Sequence, residues 1–150
     1  MNLSELMVDT KSAWVEYPGY EGFEVEVVNL SRPELTALRK RCLITKYDKA
    51  TRKPVEELNE EKFISEFTKA TIKNWKGFKY KYLEDFVLVN LSAVDPEAEL
   101  PYTQDNAKLL VTNSSEFDTW VNDTVFDLEN FRSGAKGGNV GPTGKVAQES

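Results

Sequence analysis

The stretch Lys73-Asn74-Trp75-Lys76-Gly77-Phe78-Lys79-Tyr80-Lys81-Tyr82 interleaves lysines with aromatic rings. Those are the ingredients of single-strand nucleic-acid binding, in which cations track phosphates and rings stack on bases. Against that reading stands the overall balance of 25 acidic against 19 basic residues, a formal charge of -6, where a nucleic-acid domain is normally basic. The alternative is a helix end with its rings in the core and its lysines at the negative end of the dipole. Gly144-Lys145 looks like the close of a phosphate-binding loop, but Asn139 and Val146 stand where that motif needs a glycine and a hydroxyl. Acidic groups recur at Glu56/Glu57, Glu60/Glu61, Asp95/Glu97/Glu99 and Asp123/Asp127. Sequence neighbours on a solvated face do not supply the separation across a cleft that glycoside hydrolysis requires. Cys42 is the single cysteine, on a stripe with Leu35 and Leu38, and reads as a small core residue. There is no histidine, which removes the usual neutral-pH base, the Ser-His and Cys-His nucleophile pairs and every histidine-containing zinc site. No constellation with catalytic logic is left, so the expectation is a non-enzyme needing no metal and no cofactor.

The elements that must carry these residues can be read from periodicity. Over residues 12–30, Ala13, Val15 and Tyr17, then Phe23, Val25 and Val27, alternate with polar residues around Pro18-Gly19-Tyr20-Glu21-Gly22, which predicts a β-hairpin with one wet face. Ser31-Arg32-Pro33-Glu34 is a capping box, and Leu35, Leu38, Cys42 and Leu43 follow at helical spacing, so a helix is expected to end near Tyr47. Asp48 to Pro54 reads as a loop. Asn59 can cap a second helix carrying Phe63, Ile64, Phe67, Ala70 and Trp75 on one face and stopping at Gly77. Residues 80–94 are ambiguous between helix and strand, with a lean to helix. Asp95 to Pro101 is a loop, and Thr103 caps a short helix through Val111. A last helix starting at Ser115 carries Phe117, Trp120, Val121, Val125, Leu128 and Phe131 on one face. From Ser133 the chain is rich in glycine, without aromatics or periodicity, and is expected to be a flexible tail over 133–150. The fold class is therefore α+β: an N-terminal β-hairpin and then a mostly α-helical domain, one globular unit over 1–132. The opening residues lack the basic region of a secretory leader, and no stretch approaches the roughly 20 apolar residues of a membrane span.

Several segments, in order, resemble the tail assembly chaperones of long-tailed bacteriophages. They are Tyr17-Pro18-Gly19 with Phe23-Glu24-Val25; Leu30-Ser31-Arg32 through Leu38-Arg39-Lys40-Arg41-Cys42; Pro54-Val55-Glu56-Glu57-Leu58-Asn59; Ile72-Lys73-Asn74-Trp75-Lys76-Gly77; Leu100-Pro101-Tyr102-Thr103 with Asn106-Ala107 and Leu109-Leu110; and Phe117-Asp118 with Trp120-Val121 and Phe131. The likeness spans about residues 14 to 131. It implies a protein of the host cytoplasm, absent from the mature virion, which binds the tape measure protein, keeps it soluble and assists polymerisation of the tail tube. It also implies contact with the tail tube protein through a frameshifted longer form of the chain.

A chaperone for a long apolar client needs exposed hydrophobic faces, an acidic charge and no active site. Trp75, Phe78, Phe117, Trp120 and Val121 are the candidate contact residues, for the client or for a homo-oligomer, each weighed against a plain role in the core. Two other classes fit the same composition: a minor tail or tail-completion protein of the virion, and a single-stranded nucleic-acid binder using Lys73 to Lys81.

Overall fold

Alternation of apolar and polar residues builds the first sheet. The computed structural model describes residues 1–8 and 11–132; the stretch 133–150, expected as a flexible tail, lies outside the described residues. After a short helix α1 (Leu3–Leu6), strands β1 (Ser12–Glu16) and β2 (Glu24–Val28) form the expected hairpin, Trp14 facing Glu26 and Val15 facing Val25. Val25 and Val27 are buried, while Trp14, Glu16, Glu24 and Glu26 line the wetter face.

Helix α2 (Arg32–Arg41) starts as its capping box requires: Ser31 Oγ accepts from the Glu34 N–H, and a Glu34 carboxylate oxygen accepts from the Ser31 N–H at 2.9 Å. It stops at Arg41 and not near Tyr47. Ile44, Thr45 and Tyr47 are weak helix formers suited to a pleated strand. They form β3 (Leu43–Asp48), paired antiparallel with β4 (Lys53–Leu58), so the loop expected over 48–54 shrinks to the turn at 49–52.

Helix α3 (Glu60–Thr71) is capped by Asn59, whose side chain accepts from the Lys62 N–H at 3.2 Å. It ends six residues short of Gly77, because β5 (Ile72–Lys76) pairs antiparallel with β2 and completes a sheet of order β1-β2-β5. Gly77 is required at the strand's end. Its φ is +72°, and a Cβ there would lie 1.9 Å from the Gly22 carbonyl oxygen.

Over residues 80–94 only α4 (Tyr80–Leu83) is helical; the rest is turns that drop Phe86 into the core. Helix α5 (Gln104–Asn113) begins at the Thr103 cap as expected. Helix α6 (Ser115–Val125) is capped by Ser114 and ends before Leu128; a 3-10 turn, Leu128–Phe131, then returns Phe131 to the core. Among the described residues the protein is thus mixed α+β, with six helices and two small sheets, and with three strands beyond the expected hairpin.

One aromatic core joins these parts. Phe23 stacks on Phe78 at 4.2 Å between centroids and on Tyr17 at 5.2 Å. Trp75 stands edge-on to Phe78, Tyr102 and Phe117. Its Nε1–H donates to the Leu100 carbonyl at 2.9 Å, and the Tyr102 hydroxyl donates to the Ile72 carbonyl at 3.0 Å. Leu100 and Tyr102 thereby tie β5 to the body at Trp75 and Ile72.

Candidate interaction surfaces

The β3–β4 ribbon is the less covered of the two sheets. Between Leu43 and Glu57 every residue is exposed except Asp48, which is half-buried. Tyr47 is 62% exposed, and Leu43, Ile44 and Val55 are also open to solvent. At its root the Asn59 N–H donates to the Cys42 carbonyl at 2.8 Å, closing the two strands where they leave the body. At its tip Asp48 Oδ1 accepts from the Ala50 N–H at 2.9 Å, and Arg52 adopts a φ of +59°.

That root bond fixes the phase of the ladder. In an antiparallel pair, facing residues alternate between those that exchange backbone bonds and those whose backbone groups point away. With Cys42 opposite Asn59 as a bonded pair, the bonded pairs in the ribbon are Ile44 with Glu57, Lys46 with Val55 and Asp48 with Lys53. The N–H and C=O groups of Leu43, Thr45 and Tyr47 therefore point outward along an edge of β3 that no strand among the described residues pairs. On β4 the outward positions are Pro54, Glu56 and Leu58, and Pro54 has no N–H to offer. Lys46 Nζ lies 2.7 Å from Glu57 Oε2 on one face of the ribbon, while Leu43, Thr45 and Tyr47 share the other face with Pro54, Glu56 and Leu58.

A second surface is a groove of about 490 Å³ lined by Tyr17, Pro18, Ser115, Glu116, Thr119, Trp120 and Asp123. The Tyr17 hydroxyl donates to Glu116 Oε2 at 3.0 Å. Burial, then that hydrogen bond and the Glu116 charge, push the Tyr17 phenol well above its ordinary value. Trp120 packs against Tyr17 at 4.5 Å, half-buried, with its remaining surface in this groove. A third, of about 360 Å³, lies among α3, α5 and α6 over Phe63, Ile64, Phe67 and Val111; burial beside it raises the Asp118 carboxyl, opposed by a hydrogen bond from Asn122.

The residues expected to make contacts are placed unequally. Trp75, Phe78, Phe117 and Val121 are buried in the core and present no face to a partner. Their spacing is that of a core stripe, and the strand at 72–76 turns Trp75 inward between Phe78 and Tyr102. Trp120 alone of the five keeps some exposure. The lysine-aromatic stretch is likewise occupied. Lys79 and Lys81 pair with Glu97 at 3.0 and 2.7 Å, which raises Lys79 and holds the Glu97 carboxyl below its ordinary range. Lys76 lies over the Trp14 ring at 4.6 Å, and Lys73 Nζ donates to the Lys69 carbonyl. The exposed ribbon was not among the expected contacts, although Leu43-Ile44-Thr45-Lys46-Tyr47 and Pro54-Val55-Glu56-Glu57-Leu58 carry its signal as two β-compatible runs around a polar turn.

No family model, curated protein or solved structure matches the chain. Among the described residues no group of three or more His, Cys, Asp or Glu side chains could hold a metal ion, and no helix is long and apolar enough to cross a membrane.

Proposed function

We propose that this protein is a non-catalytic assembly chaperone of the bacteriophage tail type. It would hold the tape measure protein in the host cytoplasm during tail-tube polymerisation and be left out of the mature virion. The observation that carries the reading is the ribbon: an acidic chain commits most of its aromatic rings to one core, yet leaves Leu43 and Tyr47 on one face of a solvent-open arm and Ile44 and Val55 on the other. Exposed apolar surface of that kind marks a contact site. The order of the segments that resemble the chaperone family adds independent support. The ribbon face carrying Leu43 and Tyr47 and the Trp120 groove are the surfaces that meet the client.

Co-expression with a tape measure protein tests this. The expected result is soluble co-purification that Tyr47→Asp reduces while the circular dichroism spectrum of the chain stays unchanged. A client that remains insoluble in the presence of this protein would overturn the reading. Detection of the protein in purified particles would replace it with a structural role in the virion.

A further inference from the structure

The free edge of β3 points to a second copy of this chain as its occupant. We propose that two ribbons join through β3, antiparallel and two-fold symmetric about Thr45, into one sheet of order β4-β3-β3-β4.

A two-stranded ribbon standing alone in water is marginal, and an open edge is a template for another strand. The two edges here are treated differently. That of β4 is blunted, since Pro54 occupies an outward position and Glu56 the next. That of β3 carries Leu43, Thr45 and Tyr47 outward with no proline and no outward acid.

The register follows from parity, charge and the length of β3, since an axis at Leu43 or Tyr47 would carry the pairing past the ends of the strand. The backbone groups of Ile44, Lys46 and Asp48 are engaged by β4, so only odd-numbered positions of β3 can bond across a new contact. A two-fold axis at Thr45 sets Leu43 against the partner's Tyr47, Thr45 against the partner's Thr45, and Ile44 against the partner's Lys46. Outward groups then meet outward groups at every position. An axis at Lys46 would place two lysines directly opposite each other, which is destabilising. An axis at Ile44 would leave Tyr47 opposite the partner's Arg41, at the end of α2, where no strand continues. An axis between residues would set outward groups against engaged ones. The pairing about Thr45 is self-complementary, as a two-fold contact must be. It also aligns Leu43 and Tyr47 of both copies on one face with Leu58 and Pro54, an aliphatic and aromatic cross-strand set.

Charge favours a second copy at this place. The chain carries -6 overall, but residues 43–58 hold Lys46, Lys49, Arg52 and Lys53 against Asp48, Glu56 and Glu57. Two acidic bodies can thus meet through a near-neutral arm. The proposal does not depend on the client: the assembly forms from the purified chain alone.

Sedimentation equilibrium of the full chain over a range of concentrations tests it. The expected species is twice the 17.1 kDa chain mass. Thr45→Pro removes an outward N–H that the ribbon's own ladder does not use, so the variant should return to the single-chain mass with an unchanged circular dichroism spectrum. Should Thr45→Pro unfold, Thr45→Cys supplies the second measurement: mild oxidation should link two chains through residue 45, whereas Lys46→Cys should not link. A wild-type chain that stays monomeric at all concentrations would overturn the proposal. So would a dimer whose mass survives a folded Thr45→Pro, or a strand of the tape measure protein paired to β3 of a monomer. A wild-type chain that dimerises but does not capture the client would count against the chaperone reading alone.

Discussion

The two sheets of this protein are built from strands of similar length and the same antiparallel bonding, yet they are held by different forces. In β1-β2-β5, Val25, Val27, Ile72 and Trp75 turn into an aromatic core, and Leu100 and Tyr102 bond to Trp75 and Ile72 of β5. In β3–β4 nothing comparable among the described residues covers either face, and the ladder, the Cys42–Asn59 root bond and the Lys46–Glu57 pair do the holding. Backbone hydrogen bonds are common to both, so they do not explain the difference. Burial fixes the first sheet, and the second is left for a contact to complete.

The comparison breaks most visibly in the core. Phe23→Ala should cost roughly 3 to 5 kcal/mol, since Phe23 is fully buried between Tyr17 and Phe78. A urea titration showing a loss of less than about 1 kcal/mol would mean that the sheet is not held by its aromatic face. Gly77→Ala should follow, costing at least about 1 to 3 kcal/mol for the left-handed backbone alone, with the contact to Gly22 in addition.

A smaller effect is read with alkali. Burial, then hydrogen bonding to Glu116, raises Tyr17; burial and hydrogen bonding to Asp85 push Tyr20 up to about 12. In the unfolded chain these phenols ionise near pH 10. The folded state keeps its protons longer, so their contribution is fully present below pH 10 and is lost as the pH rises through the folded values. The melting temperature should fall from about pH 10 upward, and Tyr17→Phe should flatten that fall. A slope unchanged in the variant would remove Tyr17 from the account.

Smallest of all, Tyr47→Ala on the ribbon should change the stability of the separated chain by no more than about 0.5 kcal/mol. A large loss there would mean that the ribbon packs against the body after all.

What could be read from the sequence divides along the same line. The first hairpin was legible because its alternation and its Pro-Gly turn lie within one short stretch. The caps at Ser31, Asn59 and Thr103 were legible because capping is a local hydrogen-bond pattern. The strand at 72–76 was hidden because Trp75 continues the helical spacing of Phe67 and Ala70, and only pairing with β2, far away in the chain, decides for extended backbone. Leu43 similarly extends the stripe of Leu35 and Leu38, which concealed the start of β3. The buried contact candidates share one cause. Core faces and contact faces use the same residues at the same spacing, so only the packing partner tells them apart.

The bond between Cys42 and Asn59 also gives the chain a natural splice point. Residues 43–58 leave and re-enter the body at one place, between two helices already in contact. Replacing the ribbon by a short turn would change the closure entropy of that connection only logarithmically in its length, while leaving the aromatic core as it stands. The same point can accept a longer arm, a shorter one or an affinity tag. Relatives of this chain are accordingly expected to differ most in length there, with the flanking helices kept.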